Sequence, residues 1–318
     1  MQPDMKAPPM EVSVIMSAYQ AEDYIAEAIE SVLQQTYPHF ELVLLDDCST
    51  DRTFQIAKTF ASQDNRLRLF QHPKNMGMVK TYNDLLQVAR YDWVFVLDGD
   101  DRMLPERIER QMAFLQEHPD LVIMGAWVYY INANGKRIGK MMNPLTSHEK
   151  IRLQIEADQP FWLPSPTAAY QRLTALKIGG YRAVAPIMDT DLNTRLALIG
   201  AALWQPEFLG EYRIHAKSVS VGQHAYALKV QRWISAWLRA RRLGQPEADL
   251  VSYLASENNL PFLARLRLAL RDRSAVYYKQ AVVAYSNQNY LWAALFAALS
   301  LLFWPQFMLW KTRNRRLL

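Results

Sequence analysis

The sequence predicts a doubly wound α/β domain with a parallel sheet flanked by helices, followed by a helical C-terminal extension. Three observations lead there. Apolar runs too short for helices alternate with stretches whose apolar residues recur at helical spacing. Those runs are unbroken, as parallel strands buried on both faces are, and they end in small or acidic residues. Finally, the charge balance changes sign near residue 220. Residues 1–220 hold 22 Lys and Arg against 27 Asp and Glu, a net of −5; residues 221–318 hold 14 against 4, a net of +10.

Val12–Ser17 reads as a buried strand, ending in the turn-like Ala18-Tyr19-Gln20. Ile25, Ala28, Ile29, Val32 and Leu33 mark a helix that Tyr37-Pro38 stops. Leu42–Leu45 is a second strand, ending in Asp46-Asp47, and Ser49-Thr50-Asp51 supplies capping side chains for a helix with Phe54, Ile56, Ala57 and Phe60. Leu67 and Leu69 form a weaker strand; Val79, Tyr82, Leu85, Leu86 and Ala89 form a helix; Trp93–Leu97 is a strand ending in acid. A helix is expected from about Pro105, where proline suits the first turn. Leu121–Ile131 is a long strand, turning at Asn134-Gly135 toward Ile138. Thr146-Ser147-His148-Glu149 predicts a capping box for a helix through Ile155. Phe161–Pro166 reads as an irregular loop, Gly179-Gly180 as a helix end, Asp191–Ile199 as a helix and Gly210–Ile214 as extended chain. Everything beyond 220 reads helical, so the expected domains are 1–220 and 221–318.

Composition narrows the class further. The chain of 318 residues is 50% hydrophobic and 21% charged, a globular balance that excludes disorder. One cysteine excludes a disulfide framework and a cysteine-built zinc cluster, and fits a reducing compartment. The opening MQPDMKAPPM has no apolar core or cleavage pattern, so secretion is not expected.

In open α/β sheets ligands sit at the carboxyl ends of strands. Ser17, Asp46, Asp47, Asp98, Asp100 and Asp101 should therefore converge on one sheet edge. In Asp98-Gly99-Asp100-Asp101, carboxylates two apart can offer oxygens to one hard cation, Mg²⁺ or Mn²⁺, which keeps positions open for phosphate oxygens. Clustered carboxylates repel unless something cationic or hydrogen-bonding compensates. Gly-x-Gly-x-x-Gly, Walker and Gly-x-Ser-x-Gly patterns are absent, which disfavours dinucleotide oxidoreductases, P-loop ATPases and serine hydrolases.

Val12-Ser13-Val14-Ile15-Met16-Ser17-Ala18-Tyr19, Ser31-Val32-Leu33-Gln34-Gln35-Thr36-Tyr37, Asp46-Asp47-Cys48-Ser49-Thr50-Asp51, Asn75-Met76-Gly77 and Leu97-Asp98-Gly99-Asp100-Asp101 come in this order. Together they resemble a family 2 glycosyltransferase of the GT-A fold over roughly residues 11–220, which implies an α/β domain on a mixed, mostly parallel sheet flanked by helices. The resemblance implies an inverting transfer of a sugar from a nucleoside-diphosphate donor to a hydroxyl of a glycan or lipid-linked saccharide, in cell-surface polysaccharide synthesis. It implies that Ser17, Tyr19 and Asp47 hold base and ribose, and that Asp100 is the metal ligand with Asp98 nearer the ribose. Asp189 falls on the family's catalytic base, with Asp191 in reserve and Met188 where the family has glutamate. Tyr212-Arg213-Ile214-His215-Ala216-Lys217-Ser218-Val219-Ser220 matches a closing segment, from which Arg213 and His215 would contact diphosphate or metal. Asp101 is expected to cap the next helix, or else to support the site from behind the metal-binding acids. Cys48, at a position where the family often has glycine, is expected to be a small buried residue.

Two other functions remain open on the sequence: a non-catalytic nucleotide-sugar binder of the same fold, and a metal-dependent nucleotidyl or phosphoryl transferase. Nucleic acid is not an expected partner. Leu291–Trp310 runs twenty residues without a charge and is followed by Lys311, Arg313, Arg315 and Arg316. With Arg265, Arg267, Arg271 and Arg273 upstream, the tail is expected to dock peripherally on an anionic membrane surface, the cytoplasmic face of the cell membrane; since Pro305 and Gln306 interrupt the run, a soluble helical packing module and a true span stay open as alternatives.

Overall fold

The computed structural model describes residues 10–215 and 218–306. The extreme N-terminus, residues 216–217, and the segment holding Trp310 and the basic run from Lys311 lie outside the described residues.

Strands β1 (Val12–Ala18), β2 (Phe40–Asp46), β3 (Leu67–Gln71) and β4 (Trp93–Asp98) alternate with helices α1 (Ile25–Leu33), α2 (Thr53–Gln63) and α3 (Met78–Val88). β2 and β4 flank β1 in parallel, and β3 lies parallel outside β2. Then follow β5 (Arg102–Met103), α4 (Arg107–Glu117), β6 (Leu121–Asn132), β7 (Arg137–Met141), α5 (His148–Glu156), β8 (Ala169–Gln171), α6 (Arg172–Lys177), α7 (Met188–Ala197) and β9 (Ala201–Ile214). The nine strands make one mixed sheet in the order β3-β2-β1-β4-β8-β6-β9-β5, with β7 on β6. The expected fold class holds. The three residues of β8 are too few to show a period, yet they join β4 to β6 in antiparallel pairs.

Adjacent residues of one strand enter different cores, as the strand period of two requires. Val14 and Met16 face α1, α2 and α4, whose Ile29, Ala57 and Met112 are buried with them. Ile15 faces the other way, toward Leu85 of α3, Leu192 of α7 and the helix after the sheet.

That helix is α9 (His224–Arg242), which follows the short α8 (Val219–Gly222) and precedes α10 (Leu250–Asn258), α11 (Phe262–Ser286) and α12 (Tyr290–Phe303). Val230, Trp233, Ile234, Trp237 and Leu238 of α9 belong to the same core as β1 and β4. The composition shift near 220 is therefore not a break in packing. Arg232, on α9, bonds Glu257 of α10 and Asp272 of α11, which ties the last helices to it.

Two local expectations need correction. Ser147 rather than Thr146 caps α5: its Oγ accepts from Lys150 N at 3.3 Å. Cys48 is half-buried rather than buried, and its φ of 61° lies in the left-handed region that favours glycine.

Candidate active site

The register of the parallel strands assembles the site. Ser17 on β1 pairs with Asp98 on β4, and Ala18 pairs with Asp46 on β2, so the acids meet at one sheet edge. A cleft of about 990 Å³ opens there, lined by Ser17, Tyr19, Asp47, Asp98, Asp100, Asp101, Asp189, Arg213 and His215 among others. Gly99 lets the acidic turn sit tightly over β1. A Cβ at that position would lie 3.2 Å from the Ser17 carbonyl oxygen.

Asp98 sits deep in the cleft and accepts from the Tyr82 hydroxyl. Burial, then the charge of Asp100, raises its carboxyl to about 6. Asp100 is partly exposed and its Oδ2 lies 2.9 Å from His215 Nε2. His215 is buried, its Nδ1 has no hydrogen-bond partner among the described residues, and its ring rests 4.9 Å from that of Tyr24.

Asp101 was expected to cap a helix, and it does not. It is buried and accepts from the backbone N–H of Arg213 at 2.7 Å. Burial, then the neighbouring Asp100 and Asp98, holds it well above the ordinary carboxyl range. Arg107 lies fully buried with its guanidinium on the carbonyls of Val96 and Ala168, fastening β4 to the chain entering β8.

Arg213 also departs from expectation. Its Nε donates to the Asp100 carbonyl at 2.6 Å, Nη1 to the carbonyls of Asn132 and Ala133, and Nη2 to Glu27. With its side chain 1% exposed, it is a strut under the acidic turn rather than a hand held out to a diphosphate. Asp47 is similarly engaged. It accepts from Met76 N and Gly77 N at 2.8 Å and faces His72 Nδ1 at 2.7 Å, fixing the 72–77 loop at the cleft mouth.

On the opposite wall, Asp189 stands in the first turn of α7, where the helix N-terminus favours an anion. Trp162 Nε1 donates to its Oδ2 at 3.2 Å. Burial, aided by the charge of Asp98, nonetheless raises it to about 6. Asp191 does not line the cleft. It is fully buried between Arg182 and Arg195, hydrogen-bonded to both. Met188 turns into the core beside Leu192.

Several cleft residues carried no functional signal in the sequence. Tyr82 read only as a helix core position, Trp162 as part of an irregular loop, and His224, Gln231 and Lys279 as parts of a separate tail. They line the same cleft because α9 and α11 close it.

Residues 13–180 match the family described as Glycosyl transferase family 2. The chain belongs to that family. It is 32% identical over 252 residues to EpsE of Bacillus subtilis, named as a glycosyltransferase, covering 77% of this chain and 86% of that one. The O-antigen biosynthesis glycosyltransferase WbnJ of Escherichia coli is 30% identical over 225 residues, covering 68% and 84%. Among solved structures, S. aureus TarS 1-349 in complex with UDP superposes with a TM-score of 0.55 at 17% identity, over 91% of this chain and 89% of that chain. The mannosyltransferase PcManGT from Pyrobaculum calidifontis, in complex with GDP-Man and Mn²⁺, gives 0.58 at 19% identity, over 96% and 84%. These two likenesses concern the fold, that of GT-A glycosyltransferases.

Proposed function

We propose that this family 2 glycosyltransferase moves a sugar from a nucleoside-diphosphate donor to a hydroxyl of a saccharide or lipid-linked acceptor, with inversion, in cell-surface polysaccharide synthesis. The observation that carries the reading is one cleft with clustered strand-end carboxylates on one wall and a separate carboxylate, Asp189, on the other. The donors bound by TarS (UDP-GlcNAc) and PcManGT (GDP-Man), and the O-antigen role in the name of WbnJ, agree with it.

Ser17 and Tyr19 receive the base and ribose, and Asp47 uses the capacity left on Oδ2 for the base. Asp98 and Asp100, with His215, are the residues that would hold Mg²⁺ or Mn²⁺. They fit it in two respects. Asp98 and Asp101 are burdened by the neighbouring negative charge, and a cation relieves that. His215 is within reach of Asp100. Among the described residues no three His, Cys, Asp or Glu side chains are grouped to hold a metal by themselves, so the phosphates and water would have to complete the shell. Such an ion supplies positive charge for the departing diphosphate. Asp189 accepts the proton of the attacking hydroxyl, Trp162 orients its carboxylate, and Arg213 holds the Asp98–Asp101 turn in place. The enzyme works peripherally on the inner face of the cell membrane.

The test is release of free nucleoside diphosphate from a panel of nucleotide sugars with Mn²⁺. Turnover is expected with at least one donor, to be lost in excess chelator and restored by Mn²⁺. Asp100→Asn is expected to abolish it without changing the fold. Turnover near wild type in that variant would overturn the metal role, and no turnover of any donor by the wild type would overturn the reaction.

A further inference from the structure

None of the fourteen residues of α12 is charged. Its inner side packs on α11. There Ser274 Oγ donates to the Ser300 carbonyl at 2.8 Å and Ser300 Oγ to that of Ser274 at the same distance, while the Tyr277 ring stacks on Phe296 and Phe303. Its outer side is Leu291, Ala294, Leu295, Ala298, Leu301 and Leu302, all exposed and all on one stripe at helical spacing. Leu291 is 81% and Leu302 76% exposed. A helix facing water carries polar residues on its outer side. This one carries none.

We propose that the α11–α12 hairpin lies in the interface of a lipid bilayer bearing anionic headgroups, with the leucine stripe of α12 among the acyl chains. This gives a face and a lipid class to the peripheral attachment proposed above, and it stands apart from the transfer chemistry. Charge selects the occupant. α11 exposes Arg265, Arg267, Arg271 and Arg273, and its one acid, Asp272, is bonded to Arg232. Among the described residues none of the four arginines is paired with an acid, although Arg265 also donates to the Asn258 carbonyl and Arg273 lies over the Phe303 ring. A second copy on the same stripe would instead gather the arginines of both around one apolar seam. Tyr290 and Trp292 at one end of α12 are half or more exposed and suit the headgroup level. The reciprocal serine bonds satisfy the hairpin's central polar groups without water, as a lipid environment requires. Among the described residues no helix is long and apolar enough to cross a membrane, and the proposal places the hairpin on the bilayer surface. α11 also carries Lys279 in the cleft wall, so a docked hairpin holds the cleft at the surface where a lipid-linked hydroxyl is presented.

Flotation of the full chain with vesicles of phosphatidylcholine, and of an equimolar phosphatidylcholine–phosphatidylglycerol mixture, tests this. The protein is expected to float with the anionic vesicles and remain unbound with the neutral ones. Replacing the four arginines with glutamine is expected to weaken binding by at least about a hundredfold, at close to 1 kcal/mol for each charge near the surface. Leu291→Glu with Leu302→Glu is expected to abolish it while leaving the far-UV spectrum and melting temperature unchanged. Asp100→Asn is expected to float like wild type, which separates docking from catalysis. Equal flotation of wild type and arginine variant, or no flotation of wild type, overturns the proposal. So does a stable dimer that the leucine variant splits and that never binds vesicles.

Discussion

Asp189 is the residue whose chemistry depends most on its surroundings. In its proposed role as base it must be ionised to take a proton, and burial has raised this carboxyl to about 6. The kcat/KM profile of the free enzyme is therefore expected to fall about tenfold per pH unit below about 6. Asp98 rises to about 6 as well, so the limb needs an assignment. Trp162 provides it, because its N–H stabilises only the ionised form of Asp189. Trp162→Phe is expected to move the limb to higher pH, and an unmoved limb would assign it elsewhere. Stability has the opposite sign. A carboxyl raised in the folded state contributes stability at pH below its unfolded value, and that contribution is lost as pH rises through about 6. At pH 8 Asp189→Asn is thus expected to lower turnover by roughly 10²-fold or more while melting no lower than wild type. Asp98, Asp100 and Asp189 were legible because each follows a strand or opens a helix in a recognisable order of motifs. The task of Arg213 was not. Which acceptors a guanidinium takes is decided by backbones more than eighty residues away, as with the Asn132 carbonyl.

At the scale of elements, apolar period and terminating residues gave the alternation through β4 almost to its ends, since those strands are buried on both faces and read as solid runs. They were silent on β8, which is three residues long, and on the first half of β9, where Gln205-Pro206-Glu207 interrupts the apolar residues. Within α7, spacing alone could not separate Asp189 from Asp191. Two positions turn a side chain by about 200° around a helix, which puts one acid on the cleft and the other in the wall. Asp191 holds Arg182 against α7 and pairs with Arg195 one turn along the same helix. Removing one partner of a buried ion pair costs about 3–5 kcal/mol. Arg182 is about one-third exposed and partly screened, so the lower end applies here. Asp191→Asn is accordingly expected to lower the melting temperature by roughly 6–12 °C and to retain turnover in the fraction that folds. Calorimetry beside the donor assay separates the two aspartates; loss of turnover at unchanged melting temperature would move the base from Asp189 to Asp191.

For the whole molecule, the issue is whether residues 1–220 are a domain in the physical sense, able to fold alone. Composition says so, since the charge changes sign there, but charge reports on surfaces and α9 is held by what lies beneath its surface. Burying Val230, Trp233, Ile234, Trp237 and Leu238 is worth about 1.5–3 kcal/mol each, on the order of 10 kcal/mol together. That figure is an upper bound, because unfolded chains already bury part of this surface. It still rivals the roughly 5–15 kcal/mol by which whole domains are stable. A chain ending after Ser220 would leave the core beside α7 and β9 open to water. It is expected to be insoluble, or to lack a cooperative melting transition by circular dichroism. A chain ending after Asn259 keeps α9 and α10, and keeps Arg232 on Glu257. It is expected to melt cooperatively while losing vesicle binding together with the Lys279 wall of the cleft. A cooperative melt from the shorter chain would show that α9 is an appendage after all. The ordering of the two truncations thus tests whether α9 is part of the same folding unit as the sheet, with the proposed membrane-facing portion beginning at α11.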